Sequence, residues 1–417
     1  MTSDAGSAKM GAIAIANGNG HDISVSIVAQ LLETGESMHG NALSVYLQNY
    51  PQFFWKDPVL PCTDLATEMR NSQYSDVLGL KSLRRALAAR DAAIRSQLFL
   101  SVDNVAVAQG ATHAIHTLLQ LFGGANAEVV IPVPSYSGYR DICNVLRLQY
   151  RPYGMDDSGA WLTEELLASL GPSSIMIVNT PHNPSGGQIQ TGQLKRLAEA
   201  ARRSGAVIIF DCVYDELIYE EASPEWNSVF KTANDLGSFI WVNSFSKNYG
   251  LPGVRLGWVT ASATIIKRLE PIIESSILCL PDFIQRWAAL ALGRMSAALA
   301  PEMKARRDYL CAKLSGVAGL EFKRPAAGIT MMAKLRNGSG MDLVQRLLKS
   351  HATLFLPGNA YYGGDPQTIR LCFGYSLSDI DKYTSVLASV LGRRLRVFSG
   401  AQANAQVGVQ RRPFASA

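Results

Sequence analysis

One lysine stands out because of the residues around it. Lys247 follows an apolar, β-rich run over residues 239–242, with Ser244 and Ser246 just before it and Arg255 at the end of the glycine-punctuated loop that follows. A lysine amine loses its proton readily when it is desolvated or lies beside another cation, and the neutral amine forms Schiff bases with carbonyl compounds. Two hydroxyls and a guanidinium can bind a phosphate. The segment therefore predicts a lysine that reacts with a phosphate-bearing aldehyde, with a surface lysine on a turn as the alternative.

Two other segments offer groups that suit the same ligand. Gly110-Ala111-Thr112 lies where a predicted strand turns into a helix, and backbone N–H groups at such a point favour a phosphate; a simple helix cap is the alternative. Asp211 ends the apolar run 207–210, at the edge where open α/β sheets bind ligands. A carboxylate there would keep a pyridine nitrogen protonated, and Tyr214 can reach a ring hydroxyl, although Asp211 could also be an N-cap. With Lys247, these groups predict a site for pyridoxal phosphate.

Three more residues follow or lie in predicted strands. Asn183 lies in a turn stiffened by two prolines, which is more than a plain connector needs. Tyr136 follows another strand and can stack on an aromatic ring, but a core aromatic fits equally well. Arg370 lies in an alternating apolar strand, where its guanidinium needs an anion. That anion is either a substrate carboxylate bound through two hydrogen bonds or an internal acid.

Composition limits the class of protein. The chain has 417 residues, 47% of them hydrophobic, and a formal net charge of +5. This length suggests two domains with sizeable cores, and the scattered basic residues predict neither nucleic-acid nor membrane partners. Six cysteines lie far apart with no Cys-x-x-Cys spacing, which predicts free thiols and no metal site. Without a signal-peptide pattern or a membrane-spanning apolar run, we expect a cytoplasmic protein.

The order of elements predicts an α/β architecture. Short β-rich runs alternate with amphipathic helical stretches up to about Ala261, which is typical of a parallel sheet covered on both faces. Long helical stretches over 264–314 and three β-like pieces between helices then predict a smaller α+β domain. The expected division is a disordered N-terminus (1–20), a large cofactor-binding domain (55–290), a small domain (21–54 and 291–398) and a flexible tail (399–417).

In this order and spacing, the motifs resemble those of the class I and II aminotransferases, a family of fold-type I pyridoxal-phosphate enzymes. The resemblance covers about Tyr74 to Phe373, and Tyr74, Gly79 and Leu83-Arg84 match the family's Tyr-x4-Gly-x3-Leu-Arg pattern. It implies a large domain with a mostly parallel seven-stranded sheet flanked by helices, plus a smaller α+β domain. It also implies a homodimer with shared active sites, in which Tyr74 reaches the cofactor phosphate of the neighbouring subunit.

The resemblance assigns a role to each motif. It implies that Lys247 forms the Schiff base, with Asp211 and Tyr214 as further catalytic residues. It also implies that Arg370 binds the substrate α-carboxylate and that Asn183 contacts the substrate as well as the cofactor. The residues implied to contact the cofactor ring are Asp211 at its nitrogen, Tyr214 and Asn183 at its hydroxyl, and Tyr136 on its face. The implied phosphate ligands are Gly110, Ala111, Thr112, Ser244, Ser246 and Arg255.

The implied activity is transfer of an amino group between an amino acid and an oxo acid, with Lys247 moving the α-proton. Residues 182–186 and 247–253 are also similar to capreomycidine synthase, a relative that cyclises a hydroxylated arginine, so a cyclase, elimination or oxidase reaction is the alternative. A cofactor-sensing half of a transcription regulator is a third interpretation, which residues 1–70 disfavour because they contain no basic helix. The family's N-terminal glycine–proline element, which closes over substrate, is not found in residues 38–51.

Overall fold

The computed structural model describes residues 14–17, 21–24, 43–44, 73–95, 100–154, 161–219, 224–230, 235, 237–295 and 299–392. Within the segment 1–20, for which disorder is predicted, β1 (Ala14–Asn17) pairs with β2 (His21–Ser24), and the remainder lies outside the described residues. The predicted tail and most of residues 38–51 also lie outside them. The exception in 38–51 is β3 (Leu43–Ser44).

A seven-stranded sheet forms the centre of the large domain. Its strands, in chain order, are β4 (Val105–Ala108), β5 (Glu128–Val133), β6 (Gln149–Gly154), β7 (Ser174–Asn179), β8 (Val207–Asp211), β9 (Phe239–Ser244) and β10 (Gly257–Thr260). Their spatial order is β4-β10-β9-β8-β7-β5-β6. Only β10 is antiparallel to its neighbours, so the mostly parallel seven-stranded sheet implied by the family resemblance is confirmed.

Helices cover both faces of this sheet. They are α1 (Lys81–Arg95), α2 (Gly110–Phe122), α3 (Gly138–Leu146), α4 (Glu164–Ala168), α5 (Thr191–Ser204), α6 (Trp226–Val229), α7 (Phe245–Asn248), α8 (Ala263–Ile277) and α9 (Asp282–Met295). Alternate strand residues point to opposite faces. Ile177 and Ile209 therefore pack in the core under α2, α3 and α8, whereas Val178 and Phe210 pack in the core under α5. In the described parts of the chain, no helix is both long and apolar enough to cross a membrane.

The C-terminal part forms a second, smaller sheet with helices. Its elements are α10 (Leu299–Leu314), β11 (Leu320–Phe322), β12 (Thr330–Leu335), α11 (Gly340–His351), β13 (Thr353–Leu354), β14 (Leu356–Pro357), β15 (Thr368–Cys372) and α12 (Leu377–Leu391). The antiparallel sheet has the order β11-β12-β15-β14, and its core includes residues of α10, α11 and α12. β13 pairs in parallel with β3. The domain boundaries given above stay a prediction.

The structure differs from the predicted elements in several places. The glycine spacing after Lys247 predicts a loop that includes Gly257, but Gly257 begins β10. β6 and β11 were not predicted. β10 and β11 have only four and three residues, too few to show a clear periodicity. The sequence pattern over residues 136–146 predicts a helix, which in the structure begins at Gly138. Within the predicted helical stretch 264–314 the described residues form α8, α9 and α10, and α8 ends at Ile277, just before Leu278 adopts a left-handed φ of 61°.

The close approach of β10 to α2 makes Gly257 a test of this packing. A Cβ on Gly257 would lie 2.6 Å from the carbonyl carbon of Gly110 and 2.8 Å from the backbone nitrogen of Ala111. Gly257→Ala should lower the free energy of unfolding by about 1–3 kcal/mol, because backbone must move to admit the methyl group. The control is Gly192→Ala in α5, where nothing lies within 4 Å of the added Cβ. Equal urea midpoints for the two variants would show that the approach is looser than described.

Candidate active site

A cavity of about 430 Å³ opens at the carboxyl ends of β7, β8 and β9, where the large sheet meets the small domain. The predicted site residues that line it are Ala111, Thr112, Tyr136, Asn183, Asp211, Tyr214, Ser244, Ser246, Lys247, Arg255 and Arg370. Two predicted residues do not line it. Gly110 lies behind Arg255, and Tyr74 lies elsewhere on the surface with 85% of its area exposed. Residues far apart in sequence therefore meet in one place, as their positions after parallel strands predict.

One end of the cavity is built to bind an anion. The thirteen-residue helix α2 begins there and has no side-chain N-cap, so its first N–H groups are available to a ligand. The hydroxyl oxygens of Ser244 and Ser246 lie 2.9 Å apart at the start of α7, and Arg255 Nη1 lies 3.4 Å from Ser246 Oγ. This set of hydroxyls, amides and a guanidinium matches the oxygens of a phosphate monoester.

Two glycines give this end its shape. Gly110 has a left-handed φ of 78°, and a Cβ at that position would lie 2.6 Å from Arg255 Nη2. Gly257, at the start of β10, packs against the backbone of residues 110 and 111. Any side chain at Gly110 would displace the guanidinium, so the backbone and Arg255 together form a cradle that only glycine permits. The cradle is an independent sign that the residues fit a phosphate group.

Lys247 extends from α7 towards the middle of the cavity. Its side chain keeps partial exposure to the cavity, but the surrounding protein removes most of its water. This desolvation lowers the pKa of Lys247 to about 8, and the positive charges of Arg370 and Arg255 act in the same direction. A larger fraction of the amine is therefore neutral, and nucleophilic, at pH 7 than for an ordinary lysine.

Asp211 lies buried at the end of β8, and its carboxylate accepts a hydrogen bond from the hydroxyl of Tyr139 at 2.5 Å. Burial raises the pKa of Asp211 to about 6, whereas the bonds from Tyr139 and from the backbone N–H of Val213 act in the opposite direction. The hydroxyl thus helps to keep the carboxylate ionised, which is the state that would pair with a protonated pyridine nitrogen.

Arg370 reaches the cavity from the small-domain strand β15. It is 6% exposed, and its Nη1 donates to Asn183 Oδ1 at 3.2 Å. The aromatic ring of Tyr361 lies 5.5 Å from the guanidinium carbon, within the range of a cation–π contact. Asn183 is itself oriented by Asn179, whose Oδ1 accepts the backbone N–H of Asn183 at 2.8 Å. Asn183 therefore links the large-domain loop to the arginine of the small domain.

Sequence reasoning missed three residues of this site: Tyr139, Asn179 and Tyr361. Asn179 lies in the same motif as Asn183 and could have been included, because it ends the buried strand β7. Tyr139 and Tyr361 resemble core aromatics in the sequence, and only the fold places them against Asp211 and Arg370.

Comparisons with known proteins define the class. Residues 49–387 match the family model described as aminotransferase class I and II. The fold is that of a solved aspartate aminotransferase from Thermotoga maritima, with a TM-score of 0.77 at 21% identity, covering 88% of this chain and 97% of that one. The chain belongs to the class I and II aminotransferase family. The predicted family and fold type are therefore confirmed.

Two curated relatives indicate the chemistry within the family. Arginine–pyruvate transaminase of Pseudomonas aeruginosa is 28% identical over 333 residues, which cover 77% of this chain and 83% of that protein. Capreomycidine synthase of Streptomyces vinaceus is 24% identical over 327 residues, covering 76% and 81%. The chain is a pyridoxal-phosphate-dependent aminotransferase, as the sequence predicted. The roles of the individual site residues stay predictions.

The bond between Tyr139 and Asp211 generates a prediction about pH. Tyr139→Phe removes a hydrogen bond to the charged carboxylate, worth about 1.5–3 kcal/mol, so the pKa of Asp211 should rise by roughly one to two units. In the predicted role of Asp211 the ionised carboxylate is the active form, so the acid limb of the kcat profile should move to higher pH, while the alkaline limb stays in place. A pH–rate profile identical to that of the wild type would exclude this role for Tyr139.

Proposed function

We propose that Lys247 is the catalytic lysine of an enzyme that transfers the amino group of an amino acid to an oxo acid. The observation that supports this most directly is the meeting of Lys247, Asp211 and Arg370 in one cavity with an anion cradle at its end. When bound, pyridoxal phosphate supplies an aldehyde that condenses with amines and a ring that withdraws electrons from the substrate Cα.

Residues at opposite ends of the cavity would hold this cofactor. The N–H groups of α2, the serine hydroxyls and Arg255 bind the phosphate, and Asp211 accepts a hydrogen bond from the protonated ring nitrogen. Tyr214, 2% exposed, and Asn183 donate towards the ring hydroxyl. Tyr136, a residue that is 39% exposed, would stack on one face of the cofactor ring. These contacts fix the reactive carbon near Lys247.

Lys247 then has two tasks. Its neutral amine would hold the cofactor through the aldehyde carbon until an amino acid takes its place. The freed Nζ would then accept the α-proton of the amino acid as general base and give it back as general acid. A pKa of about 8 suits both directions, because a catalyst that gives and takes protons works best near the ambient pH.

Arg370 would bind the α-carboxylate of the substrate through two parallel hydrogen bonds. Its contacts with Asn183 and Tyr361 hold the guanidinium plane in place before substrate arrives. The α-carbon is thereby oriented towards Lys247.

We further propose arginine as the first amino donor to test. Among the described residues that line the cavity, the cations are Lys247, Arg255 and Arg370, and each already has a partner in this scheme. The scheme thus assigns no cation to a second carboxylate such as that of aspartate. The name of the Pseudomonas aeruginosa relative, arginine–pyruvate transaminase, points to the same donor.

A homodimer and a cytoplasmic location complete the proposal. Tyr74, Leu278 and Leu290 expose 85%, 42% and 65% of their surfaces, more than is usual for large apolar side chains. Ser75 Oγ donates to the carbonyl of Leu280 at 3.0 Å, so the segments of Tyr74 and Leu278 adjoin. We infer that this surface packs against a second copy, whose cofactor phosphate Tyr74 reaches. The free cysteines in the described chain support a reducing compartment.

The catalytic lysine is tested by trapping. Borohydride treatment of the wild-type protein with pyridoxal phosphate should give a single peptide modified at Lys247, and Lys247→Ala should lose the adduct together with activity. The control Lys267→Ala, at a lysine with 76% of its side chain exposed, should keep both. Reduction that places the label on another lysine of the wild type would refute the assignment.

The donor is tested by the half-reaction without acceptor. Arginine should discharge the yellow absorbance of the bound cofactor and release one equivalent of the matching oxo acid, at a rate about tenfold or more above that of aspartate, since a buried unpaired carboxylate costs several kcal/mol. A faster reaction with aspartate would refute the donor. Consumption of arginine with the yellow absorbance restored after each turnover would instead indicate cyclisation, elimination or oxidation.

Shared active sites are tested by hybrid dimers. Lys247→Ala and Tyr74→Phe subunits should each have low activity alone. If Tyr74 serves the neighbouring site, refolding them together should restore up to about a quarter of wild-type activity, because half of the molecules are hybrids with one intact site. Fully active monomer in sedimentation experiments, or no recovery in the mixture, would contradict the proposed dimer.

A further inference from the structure

A cluster of buried charges lies directly behind the active site. We call it the ion cluster; its members are Arg90, Asp91, Arg95, Asp215 and Glu216. Their side chains are between 0% and 11% exposed. Arg90 joins Asp91 to Asp215 and Glu216. Its Nη1 lies 2.8 Å from Asp91 Oδ1, and its Nη2 lies 2.5 Å from Asp215 Oδ1 and 2.6 Å from Glu216 Oε1. None of these residues lines the cavity.

Stability alone is a weak reason for such a cluster. Each buried charge loses several kcal/mol of hydration, and replacement of buried ion pairs by apolar residues is often neutral or stabilising. Burial opposes the charged form of Asp91, yet Arg95 and Arg90 outweigh it and lower the pKa of Asp91 to about 2. The charges are therefore well paired. The distinguishing feature of the ion cluster is that it holds the backbone segment that bears Lys247.

Asp215 ties the cluster to the segment that bears Lys247. Its carboxylate accepts hydrogen bonds from Asn243 Nδ2 at 2.8 Å and from Asn248 Nδ2 at 2.7 Å. Asn248 also donates to Asn243 Oδ1 at 3.0 Å and accepts the backbone N–H of Glu216 at 3.3 Å. Asn243 precedes α7 and Asn248 ends it, so Asp215 holds both ends of the helix that carries the lysine.

Asp215 also lies in the same segment of chain as Asp211, the carboxylate of the active site. Asp215 follows Asp211 by four residues in the turn after β8 and is adjacent to Tyr214. α7 has only four residues, and a helix of one turn has too few internal hydrogen bonds to keep its own shape. Its position relative to Asp211 must therefore come from side chains outside it.

We propose that Asn248 and Asp215 are positioning residues that set the geometry between Lys247 and Asp211. This inference rests on the proposed function of those two residues. Asn248 and Asp215 do not line the cavity. They fix the backbone of α7 against the turn after β8, while Arg90 and Arg95 fix Asp215 in turn. A displacement of the lysine by about 1 Å is enough to slow a chemical step by roughly a hundredfold.

The main variant is Asn248→Ala. It removes the hydrogen bonds that join residue 248 to Asp215, Asn243 and Glu216, without changing any charge. The matched control is Thr260→Val, which removes a hydrogen bond to the far side of the ion cluster, at Asp91 Oδ2, and leaves residues 243–249 untouched. Both variants should lose some thermal stability. In cofactor-free protein, only Asn248→Ala should show faster amide hydrogen exchange over residues 244–249 and slower formation of the yellow adduct with pyridoxal phosphate.

In the loaded enzyme, Asn248→Ala should lower kcat by roughly 10- to 100-fold and change KM for the amino acid by less than about threefold, because Arg370 is unaffected. Asn248→Asp supplies the second test, because a carboxylate at this position can still accept the backbone N–H of Glu216 but can no longer donate to Asp215. It should lower kcat at least as much as Asn248→Ala does, with KM again nearly unchanged.

The inference fails if Asn248→Ala keeps wild-type kcat, adduct rate and exchange over 244–249 while only its Tm falls, because the cluster then serves stability alone. It also fails if Thr260→Val shows the same kinetic defect. Failure of the proposed function is separate: it appears in the wild-type protein, as labelling by borohydride at a lysine other than Lys247.

Discussion

The removal of water from the Lys247 amine is the constraint on which the site depends. A charged ammonium is costly where water is scarce, and two guanidinium groups nearby increase that cost, so the amine gives up its proton at a pH near 8. Among the described residues that line the cavity, the cations are Lys247, Arg255 and Arg370, and the one carboxylate is that of Asp211. In the proposed scheme the cofactor phosphate and the α-carboxylate of the substrate are the anions that meet this positive charge, which leaves no cation for a second substrate carboxylate. The chemistry of the lysine and the recognition of its ligands thus have one electrostatic origin.

The fold creates this environment by bringing strand ends together. β7, β8 and β9 are parallel neighbours, so the residues that follow them meet at one edge of the sheet, and the small domain closes that edge with Arg370. β10 then passes so close to the start of α2 that only glycine fits at residue 257. The members of the ion cluster, which do not line the cavity, pair with one another behind it. Asp215 joins the two guanidiniums of α1 to the short helix that carries the lysine, so the site lies on a rigid base.

The sequence predicted most of this site because its motifs lie after buried strands. A run such as residues 207–210 is long and apolar enough to identify as a strand, and the position of Asp211 at its end then follows from the geometry of parallel sheets. The family resemblance supplied roles that spacing alone could not, such as those of Asn183 and Tyr214. Short strands were missed: β10 has four residues and starts with glycine, so it looked like part of the loop after Lys247. Tyr139 and the ion cluster were missed for a different reason, since their meaning depends on partners distant in sequence.

The protein itself lowers the pKa of Lys247, before any cofactor binds. This pKa can be measured by NMR titration of cofactor-free protein with isotope-labelled lysine side chains, using Lys247→Ala to assign the signal. We predict a pKa of about 8 for Lys247, against an ordinary value near 10.5. In Arg370→Met, the pKa should move towards the ordinary value because a neighbouring positive charge is lost. A wild-type value near 10.5 would contradict the account, because the amine would then be almost fully protonated at pH 7.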